Sequence, residues 1–301
     1  MKRRSLRIRL LLSISAVFLF MGLIGTILNY WIASHMFSRF GQQYTEEILR
    51  AKRVEFDRTF TRNIDASKFL AKNSLMKDWL RDENNQEISF LAKNLMRELK
   101  EITRETDIFL AVDSSLNFYL NGNFVSKLSK DKPDDSWYWM TRDARPFNLN
   151  IDHNEILGTT KLWVNILVED GKNKLGVIGT GLDITRIVED LMRKISSGAS
   201  VMVFDRRGYI KAHPNERYIQ SRQVYDLISG VDITNVMNLL STGTNQGMIV
   251  NAGLKNEGEP VSGSFTFIQS TGWYMLVTMD VDQILAAIFV PFIITLVSTL
   301  L

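Results

Sequence analysis

The stretch Asp134–Asp183, DDSWYWMTRDARPFNLNIDHNEILGTTKLWVNILVEDGKNKLGVIGTGLD, decides how the rest of the chain is read. Three consecutive aromatics, Trp137, Tyr138 and Trp139, open it. Phe147–Asp152, Thr159–Val168 and Lys174–Asp183 then alternate apolar and polar residues with the two-residue period of strands. Gly158 and Asp170-Gly171 supply the turns between them. Three antiparallel strands behind an aromatic cluster, closed by the carboxylate of Asp183, describe a small-molecule pocket.

The flanks place that pocket outside a cell. Leu10–Ala33 is almost continuously apolar, long enough to cross a hydrocarbon core of ~30 Å as a helix. A cleaved signal peptide is the alternative, but the run exceeds a signal core of ~7–15 residues and lacks a small-residue cleavage site. Lys2, Arg3, Arg4, Arg7 and Arg9 precede it, and Tyr30 and Trp31 close it, which puts residues 1–9 in the cytoplasm. Ile284–Leu301 is a second uncharged run, read as a membrane helix with a cytoplasmic portion expected beyond it; a buried soluble helix is the alternative. The net charge is +3, and without the five basic residues of the first nine positions the remainder is slightly acidic, which argues against a nucleic-acid surface. With no cysteine, disulfides, thiol catalysis and cysteine-ligated metals are excluded.

Between the two apolar runs the chain changes period. Ser34–Lys72 carries Phe40, Tyr44 and Ile48, then Phe56, Phe60 and Ile64, at four-residue spacing, opposite a charged side. That is one long helix rising from the first span, a stalk that serves as a dimer seam or packs on its own domain. Leu75–Leu80 and Ile88–Ile102 read as shorter helices. From Asp107 the pattern is strand-like, with turns at Asp113-Ser114-Ser115 and Asn121-Gly122. After the central stretch, Ile184–Ser197 reads as a helix capped near Asp183. A smaller unit follows: a hairpin at Ala199–Asp205 and Tyr209–Ala212, helical turns near Ser221–Ser229 and Ile233–Leu240, and strands at Gly247–Ala252, Ser262–Gln269 and Trp273–Asp280. Asp280–Gln283 leaves little slack before the second apolar run. The fold class is therefore α+β: a long N-terminal helix with two tandem antiparallel-sheet modules, flanked by two transmembrane helices.

FDRRGYIKAHPN (204–215), STGWYMLVTMD (270–280) and LGVIGTGLDI (175–184), within this helix–membrane frame, resemble the double Cache domain, the PAS-like extracytoplasmic sensor of bacterial transmembrane receptors. The resemblance implies a periplasmic sensor over 34–283, divided into a helical stalk (34–104), a membrane-distal module (105–197) and a membrane-proximal module (198–283), in a multi-pass inner-membrane protein. DSWYW together with NLNIDHNEILGTTKLWVN resembles the subset attached to signalling enzymes, diguanylate cyclases in particular, with chemoreceptors and histidine kinases as other outputs. It also implies a homodimer, and either a small ligand or a periplasmic binding protein as partner.

In amino-acid-binding members an Arg-x-Trp-Tyr motif holds the ligand carboxylate and two aspartates hold its ammonium. Here Trp137-Tyr138 matches the aromatic pair, and Asp152 and Asp183 match the acids. Asp135 stands in the arginine position and Asn150 in that of an expected tyrosine. A carboxylate in place of a guanidinium removes the bidentate clamp. Aromatic faces with two acids suit an organic cation, so an amine or amino-acid-like ligand is expected. Arg142 and Arg145 are candidates for a displaced positive clamp. Trp163 and Asn165, two apart on one strand, face the same side and are further candidates. Each aromatic could instead be core, Asp152 a turn acid and Asp183 a helix cap. Gly179-Thr180-Gly181 lacks the third glycine of a dinucleotide loop, and the histidines are scattered, so neither a cofactor nor a metal is expected. No nucleophile motif or P-loop points to an enzyme.

Overall fold

The computed structural model describes residues 2–103, 106–154, 159–196, 198–242 and 249–280. The Gly158 turn, the start of the strand at Gly247, the linker after Asp280 and the second apolar run at 284–301 lie outside them.

A single helix, α1 (Lys2–Lys72), carries the first apolar run straight into the stalk. Its 71 residues span roughly 105 Å at helical rise. Within it, Ile8–Leu28 is long and apolar enough to cross a membrane. Phe56 and Phe60 stack at 4.2 Å and are buried, as the four-residue spacing predicts. Two short helices follow, α2 (Ser74–Arg81) and α3 (Gln86–Ile102). Asn73 and Asn85 cap them, each side chain accepting from a backbone N–H three residues on.

The distal sheet has six antiparallel strands: β1 (Asp107–Val112), β2 (Asn117–Leu120), β3 (Asn123–Lys127), β4 (Phe147–Asn154), β5 (Thr159–Asp170) and β6 (Asn173–Asp183). Their order is β3-β2-β1-β6-β5-β4, so β4 is an edge. One face, carrying Ile108, Leu110 and Ile178, packs on Leu70, Met76 and Trp79 of the helices. The other, carrying Phe109, Ala111 and Val177, is covered by α4 (Ser136–Asp143).

A second sheet, β7 (Ala199–Phe204), β8 (Ile210–Ala212), β9 (Ile228–Ser229), β10 (Val250–Asn256), β11 (Glu259–Ile268) and β12 (Trp273–Met279), has the order β8-β7-β12-β11-β10-β9. Five of its strands repeat the distal connectivity, which makes the modules an architectural repeat. Short helices α6 (Val224–Leu227) and α7 (Ile233–Ser241) cover its outer face. The inner face joins α1 and the distal sheet in one core that includes Phe60, Leu162, Leu182, Val203 and Trp273.

One element is not foreseen in the sequence, and one expected boundary shifts. The aromatic triplet lies on α4, a helix that three neighbouring aromatics do not announce. The helix begun at Ile184, α5, ends at Met192 rather than Ser197. The buried Lys52 ammonium takes the Asp190 carbonyl at 2.7 Å, complementing the helix's negative end, and Lys194 turns the chain with φ 60°. Tyr44 then holds Ser196, its hydroxyl donating to Ser196 Oγ at 2.7 Å and accepting from Ser196 N–H at 3.0 Å.

Candidate functional site

Register brings residues far apart in sequence to one face of the distal sheet. Asn150 pairs with Trp163, Trp163 with Gly181, and Gly181 with Asp107. In the next row toward the edge of the chain's acids, Asp152 pairs with Lys161 and Lys161 with Asp183. In the row on the other side, Asn148, Asn165, Gly179 and Phe109 stand opposite one another. Directly opposed residues of antiparallel strands share a face. Asn150, Asp152, Trp163, Asn165 and Asp183 therefore lie on one side of the sheet.

The glycines make that face possible. A Cβ on Gly181 would stand 2.2 Å from the Trp163 ring, and one on Gly179 would meet the Val164 carbonyl. Trp163 thus lies flat across a bare strand. Thr180, between the two glycines, points the other way and bonds Ser67 of α1. The Gly-Thr-Gly run serves sheet packing.

Helix α4 lies over this face. Trp137 and Trp163 both meet Phe109 edge-on, at 5.2 and 5.4 Å. Tyr138 is completely buried and donates its hydroxyl to Asp113 Oδ1 at 2.6 Å. Burial, reinforced by that carboxylate, raises the Tyr138 hydroxyl far above its ordinary pKa. Arg142, one turn on, grips the same carboxylate through Nε and Nη2. Burial pushes the Asp113 carboxyl up, but the Arg142 and Tyr138 bonds outweigh it and hold it below the usual range. Of the two displaced-clamp candidates, Arg142 is bound to Asp113 and Asp143, and Arg145 lies in a cleft between the modules. Asp135 precedes α4 and accepts the Ser129 N–H at 2.8 Å.

Lys161 stands between the two acids matched in the sequence. Its ammonium pairs with Asp107 and lies 5.9 Å from the Trp163 ring centre. Burial raises the Asp107 carboxyl, yet Lys161, Asn121 and Lys100 together bring it below its ordinary value. Asp183 also caps α5, accepting the Arg186 N–H at 3.3 Å. Asn165 is 1% exposed, and neither of its amide atoms has a partner among the described residues. Sequence reasoning missed Asp107, Phe109, Asp113 and Lys161. The alternation of Lys161, Trp163 and Asn165 already places that lysine on the site's face.

A face of aromatics, acids and one lysine lies on the first of two tandem antiparallel modules behind one long helix, the architecture of a tandem PAS-like sensor. The chain belongs to the Cache domain family, whose profile matches residues 39–288. Domains of this family are sensory and non-catalytic, and this chain is a sensory unit, not an enzyme. Among similar solved structures is the sensory domain of the Campylobacter jejuni chemoreceptor Tlp3 with isoleucine bound: 12% identity, TM-score 0.53, covering 83% of this chain and 97% of that one. The ligand-binding domain of the Pseudomonas aeruginosa PAO1 amino acid chemoreceptor PctB with L-Gln is 17% identical, TM-score 0.55, covering 86% and 98%. The ligand-binding domain of Mlp24 with asparagine is 17% identical, TM-score 0.54, covering 82% and 95%. At these identities the likeness establishes the shared fold.

Proposed function

We propose that the chain is the periplasmic sensory region of a bacterial inner-membrane receptor that binds an amino-acid-like or amine ligand on the distal face. The observation that carries this reading is the single face shared by Asn150, Asp152, Trp163, Asn165 and Asp183, with Trp137 joined through Phe109. Lys161 refines the ligand class. Its ammonium offers a carboxylate the charge absent at Asp135, while Asp152 and Asp183 flank it as partners for an ammonium. A zwitterion uses both; a simple amine uses the acids alone. The buried Asn165 amide, costly when unpaired, gains a partner when a polar ligand arrives. The ligand then favours one arrangement of the modules, and α1 and the second apolar run pass that bias to a cytoplasmic output domain. The sequence resemblance favours a diguanylate cyclase there. The receptor acts as a homodimer through α1.

Calorimetry of the full chain in nanodiscs, against the common amino acids and a polyamine series, tests the ligand assignment. Saturable binding that weakens at least about tenfold in both Asp152→Asn and Asp183→Asn is expected. Binding indifferent to both substitutions would sink it. A second reading is favoured by the Lys161–Asp107 pair, an internal cation on the acidic face. In that reading the module is a ligand-free structural unit or a docking surface for a periplasmic binding protein. No heat from any compound, with capture of a purified periplasmic binding protein, is its signature.

A further inference from the structure

A cleft of about 900 Å³ opens between the two modules. Its distal wall is the edge strand β4 at Asn148–Asn150, with Arg145; its proximal wall is the β7–β8 hairpin. Four basic residues line it, Arg145, Arg206, Arg207 and Lys211, with Asp205 as the one acidic residue among them.

That carboxylate is already used. Its Oδ1 accepts the backbone N–H groups of Arg207 and Tyr209 at 2.9 and 3.0 Å, and its Oδ2 pairs with Lys211 at 2.9 Å. Lys211 also donates to Gln220 at 3.0 Å. Arg206 lies 5.9 Å from the Phe267 ring centre, a contact that leaves its charge uncompensated. The guanidiniums of Arg145, Arg206 and Arg207 have no carboxylate partner among the described residues. Three basic residues without a carboxylate partner gather positive charge at the margin of one concavity, and the hairpin's own bonds do not require them. Guanidinium forks match carboxylate and phosphate oxygens two at a time. The volume suits a small organic ligand better than a single ion.

We propose that this inter-module cleft is a second binding site, for a compact multivalent oxyanion, either a di- or tricarboxylate or a phosphate. Arg145 from the distal module and Arg206 and Arg207 from the proximal module clamp it from opposite walls. Bound there, the anion ties the strand that carries Asn150 and Asp152 to the proximal hairpin.

The test is titration of the full chain, in nanodiscs of zwitterionic lipid at about 150 mM salt, with citrate, succinate and inorganic phosphate. Saturable binding of at least one is expected, weakened about tenfold or more in Arg206→Gln/Arg207→Gln and in Arg145→Gln. Arg186→Gln, an exposed guanidinium on α5, should leave it unchanged. The probe that binds distinguishes carboxylate from phosphate. No saturable binding of any of the three, or equal weakening in Arg186→Gln, would overturn the proposal. Because the distal acids are untouched in these variants, the outcome is separable from that of the amine and amino-acid titrations.

Discussion

Single residues set how closely the distal face can be approached. Gly181 has no side chain so that Trp163 can lie on the strand; a methyl there meets the ring at 2.2 Å. Gly181→Ala should cost about 1–3 kcal/mol in chemical denaturation and shift Trp163 fluorescence; unchanged stability and emission would show the ring is not seated there. Asp113 sets a pH window. Its folded carboxyl lies below the ~3.9 of an unfolded chain, because Arg142 and Tyr138 outweigh burial. The stabilisation it gives is therefore complete above that value and is lost as pH falls through the lower folded one. Arg142→Gln should lower the melting temperature at neutral pH and flatten the acid loss below pH ~4; a parallel shift at every pH would assign Arg142 a packing role alone. None of this network is legible in sequence. Asp113 reads correctly as a turn residue, but its carboxylate is claimed by a tyrosine and an arginine 25 and 29 positions on.

At the scale of elements, the strands and the long helix were open to sequence reading, and the helix over the site was not. Strand-length runs bounded by turn residues mark β4, β5 and β6; β6, covered by α1 on one face and α4 on the other, is buried at seven consecutive positions. Asn121-Gly122 announces its turn because both residues adopt left-handed backbone, φ 51° and 82°. Helix α4 has only eight residues and no side-chain cap bond, and its aromatics favour strands, so nothing local declares it. Helix α1 holds each sheet by one buried hydroxyl pair: Thr45 to Ser264 at 2.7 Å and Ser67 to Thr180 at 2.9 Å. Thr45, Ser264 and Thr180 each keep a second partner, the Gln42 carbonyl, the Asn251 amide oxygen and the Asn63 carbonyl, so Ser67 is the hydroxyl that depends on its pair. Thr180→Val, which leaves the Ser67 hydroxyl without that partner, should cost about 1–3 kcal/mol, and Ser67→Ala/Thr180→Val less than the two single changes together. Strict additivity in that cycle would mean the hydroxyls do not interact.

The whole molecule is organised by a core that belongs to neither module alone. Leu162 and Leu182 of the distal sheet, Val203, Met275 and Val277 of the proximal sheet, and Phe56 and Phe60 of α1 meet in one cluster. Phe60 touches Trp273 edge-on at 5.9 Å. The tandem arrangement is readable in sequence as two successive sets of strands, whereas this shared core is not, since no local pattern distinguishes apolar residues that meet another module from those that meet their own. Its consequence is mechanical: one module cannot lose its inner face without exposing the other's. The region from α1 to β12 should therefore unfold in a single calorimetric transition. Trp273→Ala, a large-to-small change in the shared core, should cost about 3–5 kcal/mol. It should bring down the distal module as well, seen in the fluorescence of Trp79, Trp137 and Trp163, although the substitution lies in the last proximal strand. Distal tryptophans melting at their original temperature would show the modules to be thermodynamically separate, and a signal could then not cross between them through this core.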